Sequence, residues 1–257
     1  MTRPNDPAAL SKVPDVTLMF WVIKCLATTL GETGGDALSM QFALGYGASS
    51  LVFLAAFGAA LALQVRARRF HPALYWLVVV TTTTVGTTVS DFFDRSLGLG
   101  YVASSAILFV AVLAVLAIWA RTTGRIAADH IASGPNEVFY WLTILVSNTL
   151  GTALGDFTAD TAGLGFEGGA MVFAGLIATV ALAWRFTAIP KPLLFWAAYV
   201  LTRPLGATLG DLLTKPVAHG GLALGQLESS LAIAGAMVAG VWLTHLAERR
   251  NARSDAA

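Results

Sequence analysis

Residues 140–156 read YWLTILVSNTLGTALGD: an aromatic pair, Tyr140-Trp141, then Gly151 ten residues past the Trp and Asp156 five residues further. The same frame returns as 20–36 (FWVIKCLATTLGETGGD), 75–91 (YWLVVVTTTTVGTTVSD) and 195–211 (FWAAYVLTRPLGATLGD). Fourteen residues after the frame Gly, the first three copies reach a second Leu-Gly pair, at Leu44-Gly45, Leu99-Gly100 and Leu164-Gly165; the fourth reaches Leu224-Gly225 after five extra residues. A fixed period of this kind marks a repeat architecture. Every copy ends its first apolar segment on an acid, and an ionisable group in an apolar span is where function is sought first.

The surrounding composition sets the solvent. Of the 257 residues, 56% are hydrophobic and 12% charged, with a mean hydropathy of +0.70. Soluble domains carry about 25% charged residues, so the chain reads as polytopic and embedded in a membrane. A span takes about 20 apolar residues, and eight segments meet that length: 16–36, 42–65, 72–91, 101–120, 138–156, 166–186, 193–211 and 226–246. The predicted fold class is all-α, with eight transmembrane helices as four parallel two-helix repeats in one domain, 1–257. The repeats cover 12–66, 67–121, 136–187 and 188–247, with a linker at 122–135. The first residues lack the apolar core of a signal peptide, so the first helix is expected to stay in the bilayer. One Cys, Cys25, offers no disulfide framework.

Charge placement orients the helices. Twelve of the sixteen Lys and Arg flank the repeats on one side (Arg3, Lys12, Arg66, Arg68, Arg69, Arg121, Arg125, Arg185, Lys191, Arg249, Arg250, Arg253), whereas only Arg95 and Lys215 fall in the opposite loops. By the positive-inside rule both termini are expected in the cytoplasm of a bacterial inner-membrane protein. These clusters are juxtamembrane charges, so nucleic acid is excluded as a partner; the bilayer is the expected one. An even number of spans returns the chain to its starting side, so all four odd helices run outward and all four Asp share one face. The longer middle linker is expected to pair repeat one with two and three with four, a pseudo-twofold that approaches fourfold.

On a helical wheel, positions three to four apart share a face. One ridge is small in every copy: Ala27, Gly31, Gly35; Thr82, Gly86, Ser90; Ser147, Gly151, Gly155; Thr202, Gly206, Gly210. Small residues let helices approach closely in lipid, so Gly31, Gly35, Gly86, Ser90, Gly151, Gly155, Gly206 and Gly210 are the expected packing positions of the odd helices. One residue further runs a polar stripe: Lys24, Thr28, Glu32, Asp36; Thr83, Thr87, Asp91; Asn148, Thr152, Asp156; Arg203, Ala207, Asp211. Acids facing lipid would cost about 3 kcal/mol each, so the stripe is expected inside the bundle. The four frame tryptophans, Trp21, Trp76, Trp141 and Trp196, are expected as interface anchors.

The fourfold Trp/Gly/Asp frame resembles a bacterial family of inner-membrane proteins built from four tandem two-helix repeats, each with a characteristic Trp, and labelled only as a repeat of unknown function. The resemblance spans residues 12–247 and implies the fold and membrane location rather than a chemistry. The fourth copy departs from the others, with Arg203-Pro204 in place of Thr28-Thr29, Thr83-Thr84 and Asn148-Thr149, and with the inserted Lys215-Pro216…His219-Gly220-Gly221 loop.

Clustered carboxylates with hydroxyl and amide oxygens suit hard cations or protons. The expected ion-binding set is Asp36, Asp91, Asp156, Asp211, Glu32, Thr28, Thr83, Asn148 and Thr152, with Lys24 and Arg203 as counter-ions and Asp160, Glu167 and Glu228 as further candidates. The ion itself, metal or proton, stays open. A small-cation carrier is the expected function, with a divalent metal ion as one candidate cargo and proton coupling as one candidate drive. The alternatives are a membrane scaffold or an intramembrane aspartyl enzyme. No cofactor is expected. The four His do not converge in sequence, and no nucleotide loop, Ser/His/Asp order or Cys pair is present.

Overall fold

The computed structural model describes residues 12–67, 69–124, 126, 131 and 135–254; Arg3, Arg68, Arg125, His130 and most of the 122–135 linker lie outside them. Among the described residues there are eight α-helices and no strand: α1 Leu18–Asp36, α2 Tyr46–Arg66, α3 Pro72–Asp91, α4 Gly100–Thr123, α5 Pro135–Asp156, α6 Gly165–Phe186, α7 Lys191–Thr214 and α8 Gln226–Ser254. In the first three repeats the odd helix runs past its Asp as one wide π-turn, Ala37–Gln41, Phe92–Ser96 and Phe157–Thr161, closed by bonds such as Phe42 N to Ala37 O at 2.9 Å. The second Leu-Gly pair then reverses the chain, because Gly45, Gly100 and Gly165 enter the even helices at φ of +77°, +71° and +67°, where a Cβ is penalised. The fourth repeat has no such π-turn. Its α7 stays α-helical to Thr214, and a short 3-10 turn, Val217–His219, fills the insertion.

The four odd helices close into an inner ring: α1 packs on α3, α3 on α5, α5 on α7 and α7 back on α1. Each even helix lies outside this ring, against the odd helix of the following repeat: α2 on α3, α4 on α5, α6 on α7 and α8 on α1. The even helix crosses to its neighbour, and α8 closes the circle against α1. The helix packing does not divide the repeats into the two expected halves, since each odd helix packs on both of its neighbours in the inner ring.

The small ridge explains the close approach. A Cβ on Gly86 would fall 2.9 Å from the Asn148 backbone carbon, and one on Gly31, Gly151 or Gly206 would collide with Thr83, Arg203 or Thr28. One turn on, Gly35 meets Thr87, Gly155 meets Ala207 and Gly210 meets Glu32. The seam therefore repeats four times in one direction around the ring. Ser90, which replaces Gly in this row, turns its hydroxyl to the Asp94 carboxylate at 3.1 Å.

At the opposite end of the odd helices the aromatics form a second closed ring. Phe20 packs on Trp76, Tyr75 on Trp141, Tyr140 on Trp196 and Phe195 on Trp21, with centroids 5.6–5.7 Å apart. Trp76, Trp141 and Trp196 are buried, and Trp21 is half-buried. Their expected role as interface anchors is therefore corrected. Each indole sits between two repeats, where large ring area and edge contacts add to packing, so three of the four have no outward face. Beside this ring Lys12, expected as a surface charge, is buried against Glu137 at 2.9 Å and also donates to Val65 O.

Among the described residues six helices are long and apolar enough to cross a membrane; α1 and α7 are not among them. Those two carry Lys24, Glu32 and Asp36, and Arg203 and Asp211, all buried in the ring. The even helices instead present Leu51, Ile107, Val110, Met171, Leu231 and Val238 outward. So extensive an exposed apolar surface marks a membrane-embedded protein.

Candidate functional site

Because each Gly seam holds its neighbour one step around the ring, equivalent positions of the four polar stripes come to the same level and face the common axis. Counting from the frame Trp, every seventh, eleventh and fifteenth residue forms a layer. The first is Thr28, Thr83, Asn148 and Arg203; the second Glu32, Thr87, Thr152 and Ala207; the third Asp36, Asp91, Asp156 and Asp211. All twelve are at most 3% exposed, so the stripe is an interior column rather than a lipid-facing face.

Arg203 links the first two layers. Its Nη2 donates to Glu32 Oε2 at 2.8 Å, to Thr152 Oγ1 at 2.6 Å and to Thr87 Oγ1, while Nη1 reaches Thr28 O at 3.4 Å. The guanidinium thus lies across the second layer, where Ala207 of its own helix leaves room for it. Glu32, Thr87, Thr152 and Arg203 come from the four different repeats. A buried ion pair of this kind is sustained by such additional hydrogen bonds.

The third layer is bridged in pairs by bases four residues beyond an Asp. Arg95 Nε lies 3.1 Å from Asp91 of its own helix, and Arg95 Nη2 lies 3.6 Å from Asp156 of the next repeat. Lys215 Nζ lies 3.2 Å from Asp211 and also binds Asp36 of the next repeat in the circle. At the same position, repeats one and three have Met40 and Asp160, so the bases alternate around the ring. Glu32 lies within electrostatic reach of all four Asp. Oxygens of Glu32, Asp36 and Asp211 lie within 4.8 Å of one another, the one metal-compatible group of acids among the described residues. These hard oxygen donors suit a divalent cation or a proton, with the Lys215 ammonium as the built-in competitor.

The acids of the expected ion-binding set thus converge, and Thr152 joins them through Arg203. Thr28, Thr83 and Asn148 do not. The Thr28 hydroxyl donates to carbonyls including Thr202 O at 3.1 Å, that of Thr83 to Ala27 O at 3.1 Å, and Asn148 Nδ2 to Thr82 Oγ1 at 3.1 Å. They stitch neighbouring repeats together two turns from the Asp layer. Asp160, Glu167 and Glu228 are exposed. Of the two expected counter-ions, Arg203 pairs with Glu32 whereas Lys24 pairs with no acid. It stands twelve residues, about 18 Å of helix, from Asp36. Its ammonium lies 4.3 Å above the Tyr199 ring, fully buried.

Sequence reasoning misses three contributors. Thr87 stands in the stripe with no role assigned. Arg95 and Lys215 read as loop residues because the apolar spans end at the Asp; their i,i+4 spacing from Asp91 and Asp211 is the available signal.

No curated protein and no solved structure matches the chain. A family model described as Repeat of Unknown Function (DUF347) matches residues 19–70, 74–125, 139–189 and 194–250, one match for each repeat and most of the sequence. The chain belongs to that family of tandem repeats.

Proposed function

We propose that this protein is a membrane carrier for a small cation, a proton or a divalent metal ion, which binds at the acidic end of the axis. The observation that supports this reading is the charge count there. Five buried carboxylates from all four repeats share three bases, Arg203, Arg95 and Lys215, so two negative charges remain, which a divalent cation would offset fully and a proton in part. Like charges gathered in a low-dielectric interior are costly unless compensated. In this reading all eight helices span the bacterial inner membrane. The polar column is sealed inside the ring, so α1 and α7 need no apolar stripe of their own. The basic flanks put both termini in the cytoplasm and the Asp layer towards the outer face. The incoming cation competes with Lys215 for Asp36 and Asp211.

A second reading, a non-transporting scaffold, is favoured by one specific observation: each axial acid already has a base beside it, as a purely structural network would. Reconstitution separates the two. Purified protein in liposomes is assayed for Mn2+ and proton flux beside Asp36→Asn and Asp156→Asn. The carrier reading expects at least a tenfold fall in flux with thermal stability retained. The scaffold reading expects no flux in the parent and a loss of stability in both variants.

A further inference from the structure

Five carboxylates and three bases are absorbed by the acidic end, which leaves one charged group on the axis without a task. Lys24 Nζ is fully buried and has no hydrogen-bond partner. Among the described buried bases it alone has no carboxylate: Lys12 holds Glu137 and Arg203 holds Glu32. The titratable groups facing it are few. On α7 they are Tyr199, whose ring it covers, and Arg203; its own helix supplies Cys25. Glu228 and His245 of α8 lie elsewhere, since Gly240 meets Ile23 while Ser230 bonds Thr33, which puts Glu228 near the Asp layer and His245 beyond the level of Lys24.

Two further groups give Lys24 neighbours in both directions. Towards the aromatic end, Tyr75 and Tyr140 hydroxyls bond each other at 2.7 Å, and the Tyr199 hydroxyl lies beside Tyr75. All three rings are fully buried. Towards the Asp end, the Asn148 Oδ1, buried and without a partner, stands one layer on, in the layer of Arg203 and before Glu32. Among the described residues, Lys24 is the one amine between these tyrosine hydroxyls and the acidic end.

We propose that Lys24 is the proton-exchanging site of the inner half of the axis, passing protons between the Tyr75–Tyr140–Tyr199 hydroxyls and the acidic end, so that cation movement is coupled to proton counterflow. The inference rests on the carrier reading and extends it to the coupling ion. A proton arrives on the Nζ lone pair as an O–H bond breaks, and it leaves as that N–H bond breaks and an O–H bond forms. No redox partner is involved, and no ion pair must be broken.

The test uses the full chain in liposomes with MnCl2 outside, an Mn2+-quenched dye and a pH dye inside, and the variants Lys24→Met and Tyr199→Phe. The parent is expected to export protons as Mn2+ enters. Lys24→Met is expected to keep Mn2+ entry within threefold while the protons moved per Mn2+ fall at least tenfold. Tyr199→Phe keeps the ring under Lys24 and removes only the hydroxyl, so it is expected to slow proton counterflow without stopping Mn2+. Parent-like proton movement in both variants overturns the proposal, as does a parent that carries Mn2+ with no protons, and in both cases the carrier reading stands. A parent that carries neither ion removes both.

Discussion

Removing the Arg203 guanidinium leaves Glu32 buried with no base beside it. Breaking a buried pair by deleting one partner costs about 3–5 kcal/mol, and Arg203→Met is expected to lose that much in denaturant unfolding. Arg203→Met combined with Glu32→Gln is expected to recover part of it, because the stranded charge is gone; equal losses in the single and double variants would contradict the pair. The glycines divide by what lies opposite. Gly86→Ala would place its Cβ against the Asn148 backbone, whereas Gly34 faces open space. Gly34→Ala is therefore expected to be neutral or stabilising by about 0.5–1 kcal/mol, and Gly86→Ala to lower the melting temperature clearly. A melting scan of the two variants checks the seam. The Gly-and-small ridge is legible in the sequence because four matched copies of it fix a face. The use of Thr28, Thr83 and Asn148 is not: a hydroxyl in an apolar helix bonds a carbonyl or an ion equally well, and only the packed neighbour decides.

At the scale of elements, the frame tryptophans join one repeat to the next. Trp141 is buried between Tyr75 and Tyr140, while Trp21 is half-buried against Phe20 and Phe195. Trp141→Ala is expected to cost about 3–5 kcal/mol, the range for large aromatics in a core, and Trp21→Ala distinctly less. Similar costs for the two would restore the interface-anchor view. That view is the natural reading of a Trp at a span end, since nothing local tells an inward indole from an outward one. Helix existence is legible to within a few residues because apolar length is a strong signal, but helix ends are not. Stopping each span at its Asp hides the π-turn that carries Arg95 and the extra turn that carries Lys215, the two bases of the Asp layer.

For the molecule as a whole, the circle of alike junctions has a consequence for connectivity. No junction depends on chain order, and both Lys12 and the end of α8 lie at the aromatic end. A chain that starts at residue 135 and joins the old termini through a flexible linker is expected to fold and to keep the parent's melting profile; failure of this permutant to fold would argue for two unequal halves. The crossing of each even helix to the next repeat is not visible in sequence, because adjacent helices with short loops ordinarily pack on each other. The Asp ring is visible, since a carboxylate held at one register in four apolar segments must turn inward and so meet its counterparts.

Mn2+ binding to the purified protein in detergent decides whether axial acids from separate repeats form one cation site. It is measured by calorimetry beside the double variant Asp36→Asn/Asp211→Asn. The expected result is saturable binding of one Mn2+ per chain, abolished in the double variant with its helical content unchanged. No saturable binding, or the same binding in the folded double variant, would contradict it.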